Sequence, residues 1–103
     1  MKYKLSIRRV AAAEMQEAHD FYEQEQSGLG YRFELAVVNV LEEIAENPLQ
    51  FPWSGVGRYR KAVVEKFPFC VYYIVEADKV VVLAIHDARR DPARWQAREG
   101  NGD

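Results

Sequence analysis

Strict alternation opens the chain. In KYKLSI, Tyr3, Leu5 and Ile7 fall on one side and Lys2, Lys4 and Ser6 on the other, the period-two pattern of a half-buried strand. After Arg8 and Arg9 the spacing changes. Ala11, Met15, Ala18 and Tyr22 recur at helical intervals, with Glu14, Glu17 and Glu23 largely off that stripe, which predicts a helix over about residues 10–26. Two glycines in SGLG (27–30) favour a turn. Leu29, Phe33, Val37, Val40 and Ile44 then form a second apolar stripe that ends at Asn47-Pro48, because the residue before a proline is pushed out of helical geometry. The two stripes predict a helical hairpin.

Residues 49–57, with Pro52, Gly55 and Gly57 around Phe51 and Trp53, read as a loop with aromatic anchors. RYRKAVVEKF (58–67) reads as a strand whose first half is basic. FCVYYIVE (69–76) is rich in β-branched and aromatic residues and reads as another. Ala77-Asp78 marks a tight connection. KVVVLAIH (79–86) is too short for a helix and apolar throughout, so it is expected at the centre of the sheet, buried on both sides. Short connections predict an antiparallel meander. The fold class is α+β, in the order β-α-α-β-β-β, with the helical hairpin packed on one face of a small, mainly antiparallel sheet. Beyond it, Asp91 suits an N-cap and Pro92 a first helical residue, so DPARWQAR predicts a short terminal helix anchored by Trp95.

Length and composition narrow the class. A chain of 103 residues, 49% apolar and 29% charged, is expected to fold as one domain over residues 1–98, with 99–103 as a flexible tail. No apolar run approaches the roughly 20 residues that cross a bilayer, and MKYKLSIRR lacks the apolar core of a signal peptide, so the expected location is cytoplasmic, away from membranes. The single cysteine, Cys70, is expected to be a buried small apolar residue. Net charge is −2, yet residues 1–57 carry five Lys/Arg against nine Asp/Glu and residues 58–98 carry nine against five. The second half therefore holds the basic surface.

Candidate chemistry gathers in HDARRDPARW (86–95). With Asp91, Pro92 and Trp95 assigned to the terminal helix, His86, Arg89 and Arg90 remain at the exit of the last strand. Alternation places His86 on the side of Val82 and Ala84. His86 with Asp87 and Asp91 is too poor in His and Cys for a zinc site, and no metal or cofactor is expected. His19 reads as a surface residue. Earlier in the chain Arg58, Arg60 and Lys61 open a strand; if the helices cover Val63 and Phe67, then Arg58, Arg60 and Lys66 line the open face. Tyr72 and Tyr73 take opposite faces, one in the core and the other in an exposed aromatic patch.

The chain resembles the RelE/ParE family of toxins from bacterial type II toxin–antitoxin modules, particularly its ParE-like, plasmid-stabilisation branch. The stretches that carry the likeness are FYEQEQSGLGYRF (21–33), IAENPLQFP (44–52), YRKAVVEKFPFCVYYIV (59–75) and VVVLAIHDARRDPARWQAR (80–98). The resemblance to ParE-like toxins implies a protein that poisons DNA gyrase without performing a reaction, and that a cognate antitoxin neutralises. Arg58, Arg60, Lys61, Arg89 and Arg90 would then contact the target, and Tyr72 and Tyr73 the antitoxin groove. The alternative is the RelE-like activity, ribosome-dependent and metal-independent cleavage of mRNA, with His86 moving the proton and the same cations stabilising charge on the phosphorus. A slightly acidic chain suits a protein target better than the ribosome. A third alternative is a degenerate, non-toxic member that only binds its antitoxin.

Overall fold

The stretch KVVVLAIHD forms the longest strand of the sheet, second in its order. In the computed structural model, which describes residues 2–55 and 57–90, it is β5 (Lys79–Asp87), buried from Val80 onward. The other elements are β1 (Lys4–Ile7), α1 (Arg9–Glu25), α2 (Leu29–Glu46), a single 3-10 turn (Pro48–Gln50), β2 (Trp53–Ser54), β3 (Tyr59–Val63) and β4 (Phe69–Glu76). The five strands lie in the order β1-β5-β4-β3-β2. β1 runs parallel to β5, and every other pair is antiparallel. This is the expected α+β fold, with one short strand more than the sequence pattern suggests.

The helical hairpin packs on one face through the predicted stripes. Ala11, Ala18, Phe33, Val37, Val40 and Ile44 meet Ala62, Val71, Tyr73, Val80, Val82 and Ile85 in one core. Tyr22, Phe33, Phe67 and Phe69 add an aromatic cluster, with centroids 5.0–5.3 Å apart for Phe33 against Tyr22, Phe67 and Phe69, the tilted and edge-on geometry that aromatic pairs favour. A glutamate closes the hairpin. Glu23 accepts the N–H groups of Gly28 at 2.9 Å and Gly30 at 3.0 Å, taking the place of an N-cap side chain that Gly28, at φ 89°, cannot supply. At Gly30 the helices touch: a Cβ there would stand 2.6 Å from the carbonyl oxygen of His19.

The opposite face carries a second buried cluster of Tyr59, Cys70, Tyr72, Val81, Leu83 and Ala84. Cys70 is buried as expected, and burial pushes its thiol pKa up. One irregularity decides which β5 residue faces where. Tyr73 pairs with Val82 but Tyr72 pairs with Ala84, so Leu83 is an extra residue, a β-bulge. Val82 and Ile85 consequently face the helices, while Leu83 and Ala84 belong to the opposite cluster.

Three local expectations are corrected. Residues 49–57 are not wholly irregular, since Trp53 and Ser54 pair with Arg60 and Tyr59. The basic strand ends at Val63, and the chain turns through Lys66, at φ 70°, before β4. That turn breaks the alternation between Val63 and Phe67: Phe67 packs on the helices, but Val63 is 65% exposed and Ala62 takes the inner position. Arg60, two residues before Ala62, therefore lies on the helix side rather than on the open face. The terminal helix expected at 91–98 and the tail at 99–103 lie outside the described residues.

Candidate functional site

β5 runs past the end of β1, whose last pairing is Ile7 with Val82. The exposed edge of β5 is met by α1 instead. Glu14 Oε1 accepts the backbone N–H of Ile85 at 3.1 Å, which satisfies a donor that a neighbouring strand would otherwise take. Glu14 Oε2 lies 3.9 Å from Nδ1 of His86. Between α1 and the end of β5 opens a cleft of about 450 Å³, walled by Glu14, Glu17, Phe21 and Tyr22 on the helix and by His86, Asp87, Arg89 and Arg90 on the strand side.

His86 is only 6% exposed, and its Nε2 is enclosed without a hydrogen-bond partner. By register it pairs with Cys70 and so shares the face of Ala84 but not of Val82, because the bulge intervenes. Asp87 is held in a fork: Arg89 Nε at 3.1 Å and Nη2 at 2.9 Å donate to its two oxygens, and the Arg89 backbone N–H donates at 2.9 Å. The Arg89 side chain, and then its backbone N–H, hold the Asp87 carboxyl below its ordinary range against the opposing effect of burial. Arg89 is thus bound to Asp87 while its side chain remains 72% exposed. Arg90 is exposed beside it.

The remaining candidates lie elsewhere. Arg60 donates to the carbonyl of Phe51 at 2.6 Å and of Leu49 at 3.3 Å, and its guanidinium stacks 4.0 Å above the ring of Trp53. It clamps the 47–53 segment. Lys61 pairs with Tyr72, on the His86 side of the sheet, and Arg58 is exposed just before β3. Arg60 and His86 therefore sit on opposite faces, and the expected cations are not gathered around the histidine. Tyr73 is fully buried and donates to the carbonyl of Pro48 at 2.5 Å; burial raises its pKa to about 12. Tyr72 is also buried, at 7% exposure, so neither tyrosine forms the exposed aromatic patch expected of one of them. Surface apolar area lies instead in an open groove of about 1000 Å³ between α2 and the β3–β4 turn, where Leu35 and Val63 are 43% and 65% exposed.

Glu14 was not singled out by sequence reasoning. A glutamate off the apolar stripe of a helix looks solvated, and nothing in its spacing tells that the stripe's edge abuts an unpaired strand. Among the described residues there is no group of His, Cys, Asp and Glu that could hold a metal ion.

A two-helix hairpin on a five-stranded mixed sheet in the order β1-β5-β4-β3-β2 defines a class of small α+β proteins to which several solved structures correspond. One described as the chromosomal ParDE TA system from P. aeruginosa matches with a TM-score of 0.74 and 20% identity, over 84% of this chain and 96% of that one. No curated protein matches. The family model of the ParE toxin of type II toxin-antitoxin system, parDE, matches residues 5–92. The chain belongs to the ParE toxin family.

Proposed function

We propose that this protein is the gyrase-directed toxin of a bacterial plasmid-stabilisation module, working by binding rather than by catalysis and held inactive by a cognate antitoxin. The observation that carries the choice of binding is His86. A proton-transfer group must reach the reacting atom at hydrogen-bond distance, and here Nε2 is enclosed while Nδ1 faces Glu14. Arg60, one of the cations expected to stabilise charge on the phosphorus, is committed to two backbone carbonyls on the other face. Arg89 and Arg90 at the mouth of the cleft, with Arg58 and Lys61, supply the target-facing charge. His86 sets the shape of that rim. The half-exposed apolar groove beside α2 suits the antitoxin. A cytoplasmic location follows from the target, and no described helix is long and apolar enough to cross a membrane.

The test is a pulse-labelling time course after inducing the protein alone in bacteria, following DNA and protein synthesis in one culture. Early arrest of DNA synthesis with filamentation is the expected result. Arrest of protein synthesis first would overturn it in favour of mRNA cleavage on the ribosome. Arg89→Ala and Arg90→Ala should each weaken growth arrest in a graded way, by about tenfold or less, as single contacts of a binding surface do.

A further inference from the structure

The apolar stripe that α2 turns to the core has a counterpart on its far side. Phe33, Val37, Val40 and Ile44 pack inward. Tyr31, Leu35 and Val38 recur at the same intervals of four and three, yet stand 60%, 43% and 41% exposed. At 3.6 residues per turn these three fall within about 60° of arc, turned away from the core. A surface helix ordinarily places polar and charged residues along that line. Here two turns of it are apolar, and of the three only Leu35 also borders the groove between α2 and the β3–β4 turn.

The charge beside this ridge selects what would cover it. α2 carries Glu34, Glu42, Glu43 and Glu46 against one cation, Arg32. Glu42 continues the ridge one turn past Val38 and is exposed. Glu34 flanks it toward α1, 4.0 Å from Nε2 of His19, with its side chain 42% exposed. Asp20, bonded to His19 Nδ1 at 3.1 Å, is still 61% exposed. A second copy of this chain would set these carboxylates against their own kind, which is costly at an interface. A strand repeats every second residue and does not match the spacing, whereas the ridge of a helix does. Lysine and arginine flanking the stripe of such a helix would reach the carboxylates and lay their methylene stems over Leu35 and Val38.

We propose that the outer face of α2, along Tyr31, Leu35 and Val38, docks an amphipathic helix of a protein partner whose apolar stripe is flanked by lysine and arginine. The rim at the end of β5 is basic and this ridge is acidic, so the two select different partner surfaces. The inference uses neither the gyrase target nor the antitoxin.

The probe is a synthetic helical peptide, acetyl-LKKLAKKLKKLAKKL-amide, added to isotope-labelled protein. Its counterparts are the same peptide with glutamate in place of lysine, and a scramble of equal composition that breaks the stripe. The basic amphipathic peptide is expected to shift the signals of Tyr31, Leu35 and Val38, and both counterparts should leave them unchanged. Glu34→Gln with Glu42→Gln should weaken it about tenfold. Leu35→Lys with Val38→Lys should abolish binding, and a thermal melt checks that this variant is folded; the glutamine variant tests the proposal even if it is not. Absence of binding, equal response to the basic peptide and either counterpart, shifts confined to another surface, or a self-dimer lost on Leu35→Lys would each overturn the proposal. Pulse labelling reads the cellular target separately, so failure of one is not mistaken for failure of the other.

Discussion

Arg60 bonds two carbonyls of the chain that crosses beneath it and stacks on Trp53 as well. Hydrogen bonds to a charged donor contribute more than neutral ones, so Arg60→Ala should lower stability by about 2 kcal/mol, read as a fall in the urea midpoint. Arg60→Lys should recover only part of it, because an ammonium lacks the planar fork that spans both oxygens and lies on the indole. Asp87 gives a different signature. Its carboxyl is depressed by Arg89, so the stability it contributes is present above the ordinary aspartate pKa and is lost as pH falls through the lower folded value. Unfolding midpoints followed downward from about pH 5 should decline, and Asp87→Asn should flatten that decline. The sequence could show Arg60 only as a cation in a basic strand. Its partners are carbonyls, which every residue has, so no side-chain pattern announces them.

The helical hairpin depends on one residue with no side chain. The carbonyl of His19 occupies the space a Cβ at position 30 would need. Gly30→Ala should therefore cost about 1–3 kcal/mol by forcing the helices apart, although alanine is the better helix former. A thermal melt of the variant reading no lower than the parent would count against the close approach. This element was legible because its stripes run for four turns and longer, and each turn repeats the signal. β2 was not legible, since two residues cannot alternate. The strand before β4 was read too long because Glu65-Lys66 continues the chain without a glycine or proline to mark the turn, and Lys66 itself adopts the left-handed conformation.

Across the whole molecule, charge is segregated by layer. Between Arg9 and Glu46 the cations are Arg9 and Arg32, against nine carboxylates, whereas Arg58, Lys61, Arg89 and Arg90 all come from the sheet half. The helical side would repel a polyanion and the strand ends would attract one, which orients an approaching partner before any contact forms. Composition alone revealed that asymmetry. It could not reveal that Arg60 and His86 fall on opposite faces, because that depends on Leu83. The bulge acts on β5 as a frameshift acts on a message: everything after it is read on the other side. Strict alternation through Leu83, with no bulge, would hand His86 to the helices and turn Ile85 outward, with no change in composition or charge. The site at the end of β5 thus owes its address to a spacing of one residue, and relatives of this chain should be aligned there by counting before their histidines are compared.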